Sequence, residues 1–338
     1  MRIGNNPNKD QRNEQSTYRH QIIIPVYIPN LEGYFKDSFA VLKLCLQSVF
    51  DTAHSKTFIT IVNNGSCDAI KNYLSELHNQ NKIHEIIHTN NIGKLNAIIK
   101  GLAGNNIALV TISDCDVLFK KGWQKETNTI FRQIPKVGVV GIVPQFNTHK
   151  TNSFNLIIDN LFNSKLRFIR VKDEDSLLKF YDSIGWGKSY NPDYLKYTLG
   201  LLWNKELKVL VGSGHFVATY KKDIFERLVS NIPFKMGGYS ERYLDETPLF
   251  KDYWRVTTCD NYGYHMGNRT EDWMNKVNNN TTSENSDSLP FNFKKAPEIS
   301  KIKYILKNKI LQKMFRNKFL YKKFLRWKKL PTNMINNY

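Results

Sequence analysis

The chain has 338 residues, 41% of them hydrophobic and 13% aromatic, and carries a formal net charge of +19. That size and apolar content suit one large α/β domain with appendages, or two domains, and exclude a disordered protein. The charge looks at first like a nucleic-acid signal, yet twelve basic residues and no acid fall in Lys301–Leu330, so the body is only mildly basic and the excess marks a tail. The four cysteines, Cys45, Cys67, Cys115 and Cys259, show no CxxC pairing, which argues against a disulfide framework or a zinc site and fits a reducing, cytoplasmic setting. The first twenty residues are polar with no apolar core of signal-peptide length, and no stretch approaches a membrane span.

Along the chain, 1–20 reads as a polar lead. Gln21–Tyr27 follows as a buried strand, then a helix over Phe39–Thr52, a strand over Thr57–Val62 closed by Asn63-Asn-Gly-Ser66, and a helix over Asp68–Gln80. The pattern repeats with a short strand at Ile83–His88, a helix over Lys94–Leu102 and a strand over Ile107–Ile112. Alternation of this kind predicts a largely parallel sheet with crossover helices. Val137–Val143 is a further apolar run; Gln145–Lys208 has weak periodicity and reads as an acceptor-side elaboration; Val209–Thr219 is again strand-like. Asn278–Pro290 is an Asn/Thr/Ser-rich linker with too few apolar residues to offset its ordering entropy. These boundaries divide the chain into 21–144, 145–275, a linker at 276–296 and a tail at 297–338.

The residues that carry chemistry sit where the fourth strand ends. Asp114-Cys115-Asp116 places two carboxylates at the carboxyl end of a buried strand, where open α/β sheets bind ligands, and such a pair can hold a divalent cation and, through it, a diphosphate. The alternative is a strand-ending turn in which the Asp side chains cap backbone amides. Asn63 and Asn64 can each donate and accept, which suits a nucleobase edge or an ordinary Asn-Gly turn. Lys94 beside Gly93 starts a helix, where an ammonium and free backbone amides could meet a phosphate.

Taken in order, these segments resemble a family 2 glycosyltransferase of the GT-A fold. Ile22–Tyr27, containing Pro25 and Tyr27, resembles that family's first strand and turn. Val62-Asn-Asn-Gly-Ser66 resembles its Val-Asp-Asp-Gly-Ser, Asn90–Ala97 its Asn-x-Gly segment, Ser113–Asp116 its metal signature, and Gly122-Trp123 the pair beyond it. Gly212-Ser-Gly214, Gly237-Gly-Tyr239, Asp245-Glu246 and Tyr264-His265 follow in the family's order. The departures are Asn63-Asn64 in place of two aspartates and Asp245-Glu246 in place of Glu-Asp.

The resemblance implies a GT-A Rossmann-like, mostly parallel sheet flanked by helices. It implies a donor site of Pro25, Tyr27, Asn63, Asn64, Gly93, Lys94, Asp114 and Cys115, with Mn2+ or Mg2+ on Asp116, His265 and Asp114. Inverting transfer needs a carboxylate to deprotonate the acceptor hydroxyl; alignment on Leu249 puts Glu246 at the base position with Asp245 beside it. A nucleotide sugar, with UDP favoured, would be the donor, and the acceptor a glycan or lipid-linked saccharide of a bacterial surface polysaccharide or lipopolysaccharide. Retaining transfer, nucleotidyl transfer and a non-catalytic tethering module are the alternatives.

The tail interleaves Ile302, Ile305, Leu306, Ile310, Met314, Phe315, Phe319, Phe324 and Trp327 with its cations, predicting a basic amphipathic helix in two pieces lying on an anionic membrane surface. Nucleic acid is not expected as a partner, and the protein is expected to be cytoplasmic and peripheral to the inner face of the cell membrane. Deleting 301–338 should on this reading remove liposome binding and leave transfer to a soluble acceptor intact.

Overall fold

A computed structural model describes residues 4–11, 16–187, 190–277 and 293–338. The proposed linker Asn278–Pro290 lies outside the described residues. The first half follows the predicted alternation closely: β1 (His20–Val26), α1 (Ser38–Thr52), β2 (Thr57–Asn64), α2 (Asp68–Asn79), β3 (Glu85–Thr89), α3 (Lys94–Leu102) and β4 (Leu109–Ser113). Then come β5 (Val117–Phe119), α4 (Trp123–Gln133), β6 (Val137–Gly141), α5 (Phe154–Asp159), β7 (Leu166–Arg170), α6 (Glu174–Ser183), β8 (Tyr197–Leu202), β9 (Lys208–Val211) and β10 (Val217–Lys221). The short α7 (Arg242–Glu246), β11 (Trp254–Thr258) and β12 (Gly263–His265) complete the body, and α8 (Lys301–Tyr304), α9 (Leu311–Arg316) and α10 (Lys318–Trp327) form the C-terminal region.

The main sheet runs β3-β2-β1-β4-β10-β6-β11-β9-β8-β7. β1, β2, β3 and β4 are mutually parallel, as crossover helices require, and β11 is parallel to β6, whereas β10, β9, β8 and β7 join antiparallel. Two expectations differ from this arrangement. The segment 145–208 supplies β7 and β8 to the sheet; its periodicity is weak because β7 is only five residues long and carries arginine at both 167 and 170, one on each side of the strand. The apparent strand Val209–Thr219 is two strands of one sheet, separated at Gly212. There φ is +92°, and a Cβ would stand 2.3 Å from the Thr148 carbonyl, so the chain turns where only glycine fits.

The C-terminal helices come in pieces, as the pattern predicts. α8 passes through a π-helical stretch (Ile305–Ile310) into α9, and Asn317 breaks the run and caps α10 by accepting from the amides of Phe319 and Leu320. These helices are docked on the body. Leu311, Phe324, Leu325, Leu330, Met334, Ile335 and Tyr338 are buried in one cluster with Leu166, Phe168, Leu199 and Leu201 of the sheet's far end. The amide of Phe168 donates to the Lys328 carbonyl at 2.8 Å, so the edge strand β7 is covered. Lys307 reaches both Asp159 and Asp252 at 2.6 Å. A second face, with Ile302, Leu306, Phe319 and Trp327, stays exposed. Among the described residues no helix is long and apolar enough to cross a membrane.

This docking carries a pH dependence. His149 is buried between Tyr321, whose hydroxyl lies 3.0 Å from Nε2, and Tyr338, and burial, helped by Lys150, pushes its pKa down to about 3. Between the usual 6.5 and that value the unfolded chain takes up a proton that the folded chain refuses, so stability falls as pH falls through this window, by about 1.4 kcal/mol per unit, and levels off below it. Urea unfolding at pH 7 and pH 5 should show wild type losing about 2 kcal/mol more than His149→Phe. Equal losses in the two proteins would reject the assignment.

Candidate active site

Three strands end at the same rim and build the first half of the site. β1 ends in Pro25 and Val26 and is followed by Tyr27, β2 ends in Asn64, and β4 runs into Asp114-Cys115-Asp116; all of these line a cavity of about 430 Å³, with Lys94 from the start of α3. Its volume suits a small-molecule site. Tyr34, Phe35, Lys235 and Met236 close the cavity, and sequence reading had not singled out any of them. Lys235 and Met236 reach it because their loop lies directly on the start of α3. Gly93 has φ +90°, and a Cβ there would stand 2.7 Å from Lys235 Cα, so this close approach requires glycine.

Two of the expected donor residues take other roles. The Asn63 side chain is absent from the cavity wall; its carbonyl accepts from the Ser66 amide and its amide nitrogen lies 3.0 Å from His88 Nδ1, so it builds the Asn-Gly turn. Strand alternation explains the split, since Asn63 and Asn64 point to opposite faces of β2. Asn64 reaches the cavity while its carbonyl holds the Ile92 amide at 2.9 Å. Gly93 shapes the wall but does not line it, and the Lys94 amide is already bonded to the Lys235 carbonyl at 3.0 Å. The start of α3 therefore offers its ammonium to a ligand and not that amide. Lys94 Nζ lies 2.5 Å from Asp114, and although burial works against its charge, Asp114 raises its pKa.

The third group of the candidate metal site arrives through a small second sheet. β5 begins immediately after Asp116 and pairs antiparallel with β12, in a register that sets His265 opposite Val117; the Met266 amide donates to the Asp116 carbonyl at 2.8 Å. Asp114, Asp116 and His265 then offer ligand atoms all within 4.8 Å of one another. The Ser183 hydroxyl donates to the Phe180 carbonyl at 2.6 Å, so at 2.9 Å from His265 Nδ1 it must accept from that ring nitrogen. In the neutral ring this sets the tautomer and leaves the Nε2 lone pair facing Asp116 Oδ2 at 3.4 Å. Asp116 Oδ1 is buried with no hydrogen-bond partner. Two lone pairs facing one another and an orphaned carboxylate oxygen fit a divalent cation. Without one, burial and then the Asp114 charge push the Asp116 carboxyl above its usual range, against the pull of His265 and Lys94.

Beyond His265 lies a second cavity, of about 350 Å³, lined by Gln145, Phe180, His215, Phe216, Asp245, Arg255 and His265 among others. Its key acid is Asp245. Arg255, 2% exposed near the start of β11, pairs with one carboxylate oxygen and donates to the Ser213 carbonyl at 2.7 Å, while His215 Nδ1 lies 3.3 Å from the other oxygen. Burial alone would raise this carboxyl, but Arg255 and His215 outweigh it and hold it below the usual range. Glu246 is absent from the cavity wall and pairs with Arg242 at 2.9 Å along α7. Adjacent helical residues point about 100° apart, so only one of the acid pair can face the cavity. Sequence alignment favours Glu246, and the geometry presents Asp245.

His215 and Arg255 had not been singled out either. A buried charge inside an apolar strand, Trp254-Arg255-Val256, is itself a signal that a carboxylate partner waits nearby. Three aromatics of this half could by type present an apolar platform to a sugar face: Trp254 is buried and bonded to Asp159, Tyr243 packs on the core around Phe225, and Trp186 lies exposed over Tyr181 with ring centroids 5.1 Å apart.

A cavity at the carboxyl ends of parallel strands with two acids on its wall, a histidine beside them, and a second cavity with a carboxylate next to it define a GT-A type transferase. The family model for "Glycosyl transferase family 2" matches residues 22–196, just over half of the chain, and the chain belongs to that family of glycosyltransferases. No curated protein sequence matches it. Solved structures with a similar chain path include S. aureus TarS 1–349 in complex with UDP-GlcNAc, with TM-score 0.44 and 14% identity over 76% of this chain and 60% of that one. Another is the mannosyltransferase PcManGT from Pyrobaculum calidifontis in complex with GDP-Man and Mn2+, with TM-score 0.41 and 15% identity over 72% of this chain and 56% of that one. The matched region thus spans less than two thirds of those chains.

Proposed function

We propose that the enzyme moves a sugar, with inversion, from a nucleoside diphosphate sugar in the cavity at Asp114–Asp116 to an acceptor hydroxyl in the cavity at Asp245. The observation that carries this reading is the meeting of the two cavities at the 3.4 Å contact between Asp116 and His265. Asp116, His265 and Asp114 would hold Mn2+ or Mg2+, and the cation, when bound, supplies Lewis-acid stabilisation of the charge that grows on the leaving diphosphate. Lys94 adds a second positive charge on the same rim, while Pro25, Tyr27, Asn64 and Cys115 line the space for the nucleoside, with a UDP-sugar favoured as donor.

Asp245 stands where it can accept the acceptor proton. Its pairing with Arg255 and His215 orients the carboxylate and keeps it ionised near neutral pH. Glu246 remains the second candidate, because its ion pair with the exposed Arg242 side chain costs little to break. Asp245→Asn should lower transfer at least 100-fold and Glu246→Gln less than 10-fold, with nucleotide binding retained in both. The opposite ranking in a donor-turnover assay would move the base to Glu246. Anomeric analysis of the product by NMR checks inversion.

For the acceptor we favour a glycan or lipid-linked saccharide of a bacterial surface polysaccharide or lipopolysaccharide, met at the cytoplasmic face of the membrane. Supporting this is the exposed face of the C-terminal helices, where Ile302, Leu306, Phe319 and Trp327 stand among lysines and arginines. Such a face suits anionic lipid, each cation near the surface contributing about 1 kcal/mol. The pair Phe319→Ser and Trp327→Ser should weaken sedimentation with phosphatidylglycerol vesicles at least fivefold without altering the thermal midpoint. Unchanged sedimentation would reject membrane association through this face.

A further inference from the structure

A third cavity, of about 250 Å³, lies between the far end of the sheet and the start of α6, and the reading above leaves it without a role. Its position follows from register. Arg167 on β7 pairs with Gly200 on β8, Gly200 with Leu210 on β9, and Leu202 with Lys208, so Arg167, Thr198, Leu202, Lys208 and Leu210 share one face of the three strands. That face forms the floor, Leu177 of α6 and the segment Arg170–Asp173 the walls. Gln145 lines this cavity and also the one that holds Asp245 and His265, so the two adjoin.

The lining is strongly cationic. Arg167, Arg170, Lys172 and Lys208 all contribute, against a single lining acid, Asp173. Asp173 is committed elsewhere: it caps α6 by accepting from the Ser176 amide at 2.9 Å and from the Ser176 hydroxyl at 2.5 Å. Lys172 is paired with Asp260 at 2.8 Å. Arg167, Arg170 and Lys208 make no ion pair and no side-chain hydrogen bond among the described residues. Three unneutralised cations around one concave space repel one another, and a concave wall focuses their field on whatever enters. A guanidinium presents a planar fork matched to carboxylate and phosphate oxygens, so two of them with a lysine and the Thr198 hydroxyl form a receptor for such a group.

We propose that this cavity is an acceptor subsite that binds a carboxylate or phosphate carried by the acceptor saccharide, while the hydroxyl to be glycosylated lies next door at Asp245. This rests on the glycosyl-transfer reading of the adjoining cavity. It makes the preferred acceptor an acidic glycan, and it makes charge at Arg167, Arg170 and Lys208 the determinant of acceptor choice. No covalent chemistry takes place in the subsite.

The test is retention of the full-length protein, with UDP and Mn2+ present, on a printed array of neutral, carboxylated and phosphorylated saccharides. Wild type should be retained at least 10-fold more on the acidic saccharides than on their neutral counterparts. The double variant Arg167→Gln with Lys208→Gln, and separately the exposed single variant Arg170→Gln, should lose most of that preference while hydrolysing donor in the absence of acceptor at the wild-type rate. Equal retention on neutral saccharides, no retention, or a preference unchanged in both variants would overturn the proposal. Free inorganic phosphate separates the sources of the anion: weak competition supports recognition of the charged saccharide, whereas phosphate that binds as tightly as the acidic saccharide would show a free-anion site and overturn the acceptor assignment. Wild type that binds no nucleotide and hydrolyses no donor would instead remove the glycosyl-transfer reading, whatever the array shows.

Discussion

Asp116→Asn should reduce sugar transfer by a factor of about 1,000, close to 4 kcal/mol of transition-state stabilisation, while leaving the protein folded. The cost to chemistry is large because Asp116 is the point at which the acid pair, His265 and both cavities converge. The cost to stability is small because Oδ1 has no partner to lose, and a buried carboxylate without one is a desolvation liability. The amide is nearly isosteric, so the unligated variant should unfold at or slightly above the wild-type midpoint. Thermal unfolding with Mn2+ and a panel of nucleoside diphosphates reports the ligand arm. Wild type at ligand a hundredfold over its Kd gains about 2.7 kcal/mol, and the variant should gain almost nothing. A variant that keeps its transfer rate and its metal-dependent shift would remove Asp116 from the site.

The second large effect is that of removing the C-terminal segment. Read from sequence as a detachable anchor, 301–338 looks dispensable for turnover; read from the structure, its deletion should prevent stable folding. Seven side chains, Leu311, Phe324, Leu325, Leu330, Met334, Ile335 and Tyr338, leave the core together. At about 1.5–3 kcal/mol each their burial sums to roughly 10–20 kcal/mol before chain entropy is set against it, which is comparable to the entire stability of a domain. Asp252 and Asp159 also lose Lys307, leaving acids that are largely buried with only part of their neutralising charge. A soluble, active fragment ending at residue 300 would show that the docking is dispensable. Leu325→Ala gives a graded version: at 0% exposure it should cost about 3 kcal/mol in urea unfolding, and a change below 1 kcal/mol would place it outside the core. Membrane association is accordingly tested with exposed substitutions, because deletion would confound it with unfolding.

The parts of this protein that the sequence determined are those set by neighbours in the chain. Alternating apolar runs and turn residues locate β1 to β4 and their helices, in the case of α3 to the residue, because periodicity and helix-start chemistry act within a few positions. The acid pair after β4 is legible for the same reason, as is the ordered series of motifs that marks the family. What tertiary structure decided depends on pairing between distant segments. Asp116 meets His265 only because β5 and β12 pair in one register, and no local pattern near either residue encodes that register. Asp245 and Glu246 are adjacent acids on one short helix, and the buried Arg255, contributed by β11, pairs with the one that turns inward. Asn63 and Asn64 look equivalent until strand alternation commits one to the turn and sends the other to the cavity. The basic tail has the same amphipathic signature whether its apolar stripe meets lipid or protein. Only the edge of β7, which nothing else in the sheet pairs, and the Leu166–Phe168 surface decide that part of the stripe packs inward, leaving the rest of its cations and aromatics facing out.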